Sequence, residues 1–323
     1  MRRGAAESGR EPDRLGDQRP ASRAGGARVA SQRRAGSAVT ARLGVDIGGT
    51  STRAVVVDES GVIGEAEATS GRGVVAALDV VLATAQAALE SAGRPTTSSI
   101  GAGVPGVVDA RAGIVRHAVN LEIDEWHLRE QLEDRLGLPA AVDNDVNAAA
   151  LGARRALQIE ESLAYLNLGT GVAAGIVGVS GVLRGARGGA GEVGHLSVDP
   201  RGPRCGCGRR GCIEAYAGGR FVDGRALFRM PAASPERQRF GWAVASAVIS
   251  LLLMVDVEHV VVGGGMARSR AALLETISNG VVALEADSTF IAGLDAHRRL
   301  QVIDPGIDVA AIGAALLSRE SAR

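Results

Sequence analysis

Leu43-Gly44-Val45-Asp46-Ile47-Gly48-Gly49-Thr50 is the phrase on which the reading of the fold turns. Residues 43–47 have the composition of a buried strand, Gly48-Gly49-Thr50 reads as a turn, and 52–57 as a second strand coming back from it. Residues 62–68 supply a third strand, so the start is an antiparallel meander. The phrase recurs later as strand 162–168, turn Gly169-Thr170-Gly171 and returning strand 172–179. Glycines at such junctions let backbone N–H groups approach a phosphate, with a threonine hydroxyl as a further donor. One Gly-Gly-Thr is a hairpin turn by default. Two in equivalent places point to a cleft faced from both sides.

Each meander is followed by α/β units. In 74–92 the apolar residues Val74, Val75, Leu78, Val81, Leu82, Ala85 and Leu89 follow a helical period, and Gly93-Arg94-Pro95 ends it. Strand 99–104 runs into Pro105-Gly106, a modest helix covers 127–136, and strand 140–142 delivers Asp143-Asn144-Asp145. An alanine-rich helix over 146–157 follows, with Asn144 or Asp145 as its N-cap. The second half offers a helix from Ile213, a buried helix over 240–255 and a strand over 259–262 that ends in Gly263-Gly264-Gly265. A helix from about Ala267, a strand over 300–303 and a closing helix over 309–317 complete it. The expectation is a duplicated α/β architecture, with lobes at 43–158 and 159–323, a cleft between them, and a last helix that packs back on the first lobe.

The 323 residues suffice for one large or two medium domains. Acidic and basic residues balance at 36 each, so no polyanionic partner is implied. Lysine is absent, which excludes a Walker-type P-loop. The cysteine usage and the lack of a secretory apolar segment point to the cytoplasm. No uninterrupted apolar run reaches membrane-spanning length, the nearest being 243–257, and a soluble protein is expected. Residues 1–42 are rich in Arg, Gly, Ala and Ser and cannot bury enough surface to fold alone. They read as a disordered extension, a solvated tail or an upstream start-site artefact rather than a nucleic-acid arm, and they lack the periodicity of a helix-turn-helix.

All three cysteines, Cys205, Cys207 and Cys212, fall within eight residues, with His195 ten residues ahead of the first. One imidazole and three thiols form a Cys3His set, the ligand type of a closed structural zinc site, and the glycines and prolines around them suit a loop that bends back on itself. A Cys205–Cys207 disulfide is geometrically awkward and leaves a thiol over. Glu192 and Glu214 bracket the loop, so a metal there would also fix two carboxylates. At the cleft mouth a carboxylate of Asp143-Asn144-Asp145 can accept the proton of an attacking hydroxyl, and chemistry alone does not choose among the three. Asp46 is placed near the Mg2+ that accompanies nucleotide phosphates. Gly263-Gly264-Gly265 offers a third close-approach surface, flat enough for a purine or ribose.

Asp46-Ile47-Gly48-Gly49-Thr50, Gly103-Val104-Pro105-Gly106, Asn144-Asp145-Val146-Asn147-Ala148-Ala149-Ala150, Gly169-Thr170-Gly171, the 192–214 stretch and Ile312-Gly313-Ala314-Ala315-Leu316 occur in the order of the ROK family (repressor, open reading frame, kinase), which the chain resembles from Leu43 onward. The His-x9-Cys-x-Cys-x4-Cys spacing is the most specific of these. The resemblance implies a duplicated actin-like, hexokinase-type (ribonuclease H-like) ATPase fold, a homodimer or homotetramer, and phosphorylation of a hexose or N-acetylhexosamine by ATP with Mg2+. Carried over by position, Asp145 is similar to the family's catalytic base, and Asn144, Glu192, His195 and Glu214 to its sugar ligands. Gly48, Gly49, Thr50, Gly169, Thr170 and Gly171 match its phosphate turns, and Gly263, Gly264 and Gly265 its adenosine side. His195 would share its two ring nitrogens between zinc and sugar.

The chain departs from the family pattern in three places. The 214–263 interval is short, with 230–235 a trimmed helical connection; Asn120-Leu121-Glu122-Ile123-Asp124-Glu125-Trp126 replaces an Asn-Leu-Pro-Gly-Trp type; and Ser51 stands where lysine often follows the first turn. Two other readings compete with a sugar kinase. A ROK transcriptional regulator normally carries an N-terminal winged helix and tends to lose the catalytic Asp. A sugar-binding pseudokinase is the third reading.

Overall fold

Two five-stranded sheets repeat one construction, seen in a computed structural model that describes residues 40–318. The expected extension over 1–42 lies outside the described residues except for its end, where the first strand already begins: Ala41 is buried and pairs with Thr97. In the first sheet β1 (Ala41–Ile47), β2 (Ser51–Asp58) and β3 (Gly61–Thr69) form the antiparallel meander, and β4 (Thr97–Val104) and β8 (Ala140–Asn144) add in parallel. The order is β3-β2-β1-β4-β8. In the second sheet β9 (Leu163–Leu168), β10 (Val172–Gly178) and β11 (Gly181–Val182) are the meander, with β12 (His259–Gly263) and β13 (Leu300–Val302) parallel beside it. Its order, β11-β10-β9-β12-β13, is the same pattern. Parallel strands buried on both faces read as runs of Val and Leu, which is why β1 and β12 were legible as strands.

Helix α1 (Gly73–Ser91) connects β3 to β4 and lays Ala77, Leu78, Val81, Leu82, Ala85 and Ala88 into the first core. Between β4 and β8 lies a small antiparallel sheet of β5 (Val107–Asp109), β6 (Ile114–Ala118) and β7 (Ile123–Trp126), followed by α2 (Leu128–Leu136). The sequence reading left this sheet out. Its strands are too short, and too interrupted by Arg116, His117 and Glu125, to carry a clear alternation. Between β10 and β12 the chain folds the cysteine loop, α4 (Ile213–Ala217), the single turn α5 (Gly224–Leu227) and the long α6 (Pro235–Val255). After β12 come α7 (Arg270–Ala286) and the short α8 (Thr289–Ala292) and α9 (Ala296–Arg299).

Helix α6 begins at Pro235, five residues before the expected Phe240. Proline is favoured at the first helical position, where its missing N–H costs nothing. The polar turn that follows buries Arg237, whose Nε donates to Thr276 Oγ1 at 2.7 Å and whose Nη2 donates to Glu275 at 2.6 Å. The added turn makes α6, like α1, long and apolar enough to cross a membrane by length and composition, although neither is an uninterrupted apolar run. Both helices place an apolar face in the core.

Helices α3 (Asp145–Ala156) and α10 (Val309–Leu316) tie the two sheets together. A Cβ on Gly152 of α3 would meet Val309 O at 1.8 Å, and one on Gly313 of α10 would meet Ala148 O at 1.7 Å. The helices therefore cross backbone to backbone. Helix α10 rests on the first sheet the same way: a Cβ on Gly44 would lie 2.1 Å from Ala311 O, and one on Gly101 1.8 Å from Ala314 O. On the other side a Cβ on Gly175 of β10 would lie 2.3 Å from Val146 O of α3. A carbonyl of a packed helix cannot rotate aside, so a side chain at the crossing forces the helices apart. Gly313→Leu is expected to cost at least ~3 kcal/mol. Gly178→Ala, where nothing lies within 4 Å of the added carbon, should stay within ~0.5 kcal/mol of the parent. Urea midpoints of the two variants check this, and equal midpoints would show that the crossing is not a tight one.

Candidate active site and metal cluster

The parallel strands of both sheets end at one cleft. Strand β8 brings the Asp143-Asn144-Asp145 trio, and the three side chains separate by their partners. Asp143 is buried: its Oδ1 accepts from Asn147 Nδ2 at 2.9 Å and from the Asn144 N–H at 2.8 Å, while its Oδ2 accepts from Arg184 Nε at 2.7 Å and Nη2 at 2.6 Å. Asn144 caps α3 by accepting from the Val146 N–H at 2.9 Å, and its amide donates to Gly106 O at 3.3 Å. Asp145, in the first turn of α3, accepts the same Val146 N–H at 3.0 Å and lines the cleft. Burial raises its pKa above the ordinary carboxylate value, and the Glu192 carboxylate adds to the rise. Of the three, Asp145 is the carboxylate left to meet a ligand.

Asp46, at the end of β1, lines the same cleft, a cavity of about 290 Å3. Burial pushes its pKa up to about 8, and the charges of Asp145 and Asp308 push the same way, with Arg53 opposing. With Asp304, four carboxylates line the cavity against two guanidiniums, Arg53 and Arg268, an oxygen donor set short of positive charge, which suits a hard divalent cation. Asp308 and Arg53 escaped the sequence reading. Asp308 had a local signal, since it precedes the closing helix and caps it by accepting from the Ala311 N–H at 3.2 Å. Arg53 pairs with Glu67 at 3.0 Å and with Asp308 at 3.7 Å across the cleft.

The turn Gly48-Gly49-Thr50 is held by Ser70, whose hydroxyl donates to Gly48 O at 2.6 Å and whose N–H donates to Thr50 O at 3.0 Å. A Cβ on Gly49 would meet Asn120 Cβ at 2.7 Å, so this glycine lets the departing 120–126 segment lie against the turn. Across the cleft, a Cβ on Gly171 would meet a Glu214 oxygen at 2.6 Å. That oxygen accepts from the Val172 N–H at 3.1 Å. Thr170 is exposed and lines a second cavity of about 570 Å3, together with Gly169, Phe228, Gly265 and Met266. The glycine triplet divides the two cavities. Gly263 is filled by the Tyr165 ring, Gly264 (φ +83°) lies against Asn167 and donates its N–H to Tyr165 Oη at 3.1 Å, and Gly265 has open space. Gly265 and Arg268 border both cavities.

His195, Cys205, Cys207 and Cys212 converge, with ligand atoms all within 4.8 Å of one another. Cys207 and Cys212 sulfurs are 3.7 Å apart, far too long for a disulfide, and His195 Nδ1 lies 3.7 Å from Cys205 Sγ. Ligands held about 2.3 Å from a tetrahedral centre are spaced by roughly this much. The set fits a structural zinc ion. Burial and the neighbouring thiols push Cys212 up to about 12, a resistance to ionising that a bound cation removes. The other ring nitrogen, Nε2, points away from the cluster to Glu192, at 4.0 Å. Glu214 Oε1 is 3.8 Å from Cys205 Sγ, so this carboxylate touches the cluster with one oxygen and the Gly169–Gly171 turn with the other.

The model of the ROK family matches residues 42–320. A glucokinase of Thermotoga maritima is 31% identical over 314 residues, covering 86% of this chain and 97% of that protein. An N-acetylmannosamine kinase of Citrobacter koseri is 30% identical, with 86% and 98% covered. Among solved structures, a ROK family glucokinase from Streptomyces griseus in complex with glucose and AMPPNP superposes with a TM-score of 0.70 at 27% identity, over 86% of this chain and 99% of that one. The repeated sheets are thus the two lobes of an actin-like fold, and the chain belongs to the ROK family.

Proposed function

We propose that the protein is an ATP-dependent sugar kinase that phosphorylates a hydroxyl of a hexose or an N-acetylhexosamine. One observation carries the reading: of two adjacent carboxylates at the end of β8, Asp143 is saturated by four donors while Asp145 faces the cleft with a raised pKa. A base must keep an oxygen open to its substrate and titrate closer to neutrality than an ordinary carboxylate; Asp145 accepts the Val146 N–H but has no ion-pair partner among the described residues, and its pKa is raised. Full-length likeness to a glucokinase and an N-acetylmannosamine kinase, and to a structure that holds glucose and AMPPNP, supports the same chemistry.

In this reading the sugar lies among Asn144, Glu192, His195 and Glu214, with one hydroxyl at Asp145. Asp145 takes the proton of that hydroxyl as its oxygen attacks the γ-phosphorus of ATP in line, and ADP leaves. N–H groups of the Gly48–Thr50 and Gly169–Gly171 turns stabilise the phosphate oxygens from opposite lobes. Adenosine occupies the larger cavity beside Phe228 and Met266, reached past Gly265. Mg2+ bound with the nucleotide would spread charge from the phosphoryl oxygens, and Asp46 is the residue that would hold it. Zinc takes no part in the reaction. His195, Cys205, Cys207 and Cys212 would hold it, and a closed cluster would keep His195 and, through the contact of Cys205 with Glu214, that carboxylate in place for the sugar.

Two outcomes test the assignment. Asp145→Asn should retain sugar binding, measured by calorimetry, while kcat falls by ~10^2-fold or more. Because the base must be ionised and its pKa is raised, kcat/KM of the parent should climb with pH through a midpoint above the ordinary carboxylate value. That acidic limb should be missing from the residual activity of the variant. Unchanged turnover would exclude Asp145 as the base. Removing the metal, by chelation or by Cys212→Ser, should raise the sugar KM by ~10-fold or more and leave the ATP KM nearly unchanged. Equal losses for both substrates would mean that the cluster supports the lobe as a whole rather than the sugar ligands.

A further inference from the structure

A cavity of about 620 Å3 lies apart from the cleft, between the small sheet of the first lobe and the 184–188 loop of the second. Its lining shares no residue with either cleft cavity. Four guanidinium side chains border it, Arg111, Arg116, Arg184 and Arg187, against a single carboxylate, Asp109. Asp109 is engaged in its own turn, accepting the Ala112 N–H at 2.9 Å. Two of the arginines are fixed from outside the cavity: Arg116 Nε donates to Glu125 at 2.9 Å, and Arg184 holds Asp143 at 2.6 Å. The other two, Arg111 and Arg187, are exposed, and neither guanidinium has an ion-pair partner among the described residues. The loop is pressed against the sheet, since a Cβ on Gly188 (φ +74°) would lie 2.9 Å from Val108 O.

We infer that this arginine-walled cavity between β5–β6 and the 184–188 loop is a binding site for a phosphate-bearing small molecule. Each guanidinium presents a planar fork of donors that matches two oxygens of an anion. With Arg116 and Arg184 held by Glu125 and Asp143, the two remaining forks face only Asp109, which is engaged in its own turn, and they suit the oxygens and the double charge of a phosphate. The two anchored arginines give the site a fixed wall, and the two unpaired ones supply the uncompensated charge. A ligand here would touch both lobes: the small sheet on one side, and on the other the loop that leads to Glu192 and carries Arg184, the partner of Asp143. The same chemistry is offered by a sugar monophosphate and by a chain of inorganic phosphates.

Isothermal titration of the full chain at low ionic strength, with inorganic phosphate, tripolyphosphate and glucose 6-phosphate as separate probes, tests the site without reference to turnover. Saturable binding of at least one probe is expected, weakened by ~10-fold or more in the double variant Arg111→Ala/Arg187→Ala. That variant should keep the melting temperature of the unliganded parent and its kcat at saturating sugar and ATP. Tighter binding of tripolyphosphate would identify a phosphate chain as the occupant, and tighter binding of glucose 6-phosphate a monoester; either supports the site. Absence of saturable binding for all three probes, or equal affinity of the parent and the double variant, would overturn the inference. Phosphate held only by the glycine turns of the cleft would give the second of these results.

Discussion

The fold depends on a contact with no side chains in it. Helices α3 and α10 meet through Gly152 and Gly313, with a peptide carbonyl of each where the other's Cβ would be. Each five-stranded sheet has a face that must be covered, and the same two helices do this for both: α10 sits on Gly44 and Gly101 of the first, and α3 on Gly175 of the second. A pair separated by ordinary side chains would be wider by several ångströms, and the strand ends on either side would move apart with it. The strand ends at the cleft are held close because the helices beneath them are glycine-close. Since Asp145 is the first residue of α3, its place at the cleft follows from the crossing.

Within that frame, neighbouring residues take different roles through the direction in which they leave the strand. Asp143 and Asp145 are two apart on the β8-to-α3 junction, yet one is buried among four donors and the other faces the cleft. Truncating Asp143 would leave Arg184 and Asn147 with unmet donors in a buried place, a cost of order 3–5 kcal/mol for the ion pair alone. The arginine comes from the second lobe and the aspartate from the first, so the pair fixes the loop before Glu192 relative to the strand that carries Asp145. On the proposed function it would couple the sugar side of one lobe to the base of the other.

The strands and the repeated turn could be read from the chain because buried parallel strands are written in Val and Leu and because glycine marks each turn. The zinc ligands could be read because three thiols and an imidazole within eighteen residues have few other uses. What could not be read were features joined over distance or lacking period. The small sheet has strands of three to five residues broken by charge. The start of α6 hides behind Pro235 and a polar turn whose Arg237 is nonetheless buried. The Arg184–Asp143 pair joins residues 41 apart in sequence, and nothing local to either announces the other. Residue chemistry left Asp143, Asn144 and Asp145 equivalent; the family resemblance favoured Asp145, and the hydrogen bonds supply the physical reason to separate it from its neighbours.

The metal cluster answers a problem that the crossing helices leave open. Strand ends are placed by sheets and helices, but Glu192, His195 and Glu214 lie on a long excursion between β11 and α6, where backbone entropy opposes any single arrangement. Four ligands on one ion would close that excursion at two points, and the histidine and the carboxylate beside Cys205 would take on the rigidity of the coordination sphere. The second oxygen of Glu214 then carries this order across to the Gly169–Gly171 turn through the Val172 N–H. In the proposed function, one carboxylate that reaches both the sugar and a phosphate-binding turn would link occupancy of the two. On the proposed function, specificity for the sugar would rest on a loop whose shape is set by coordination chemistry rather than by packing, which would leave its other residues free to vary without disturbing Asp145.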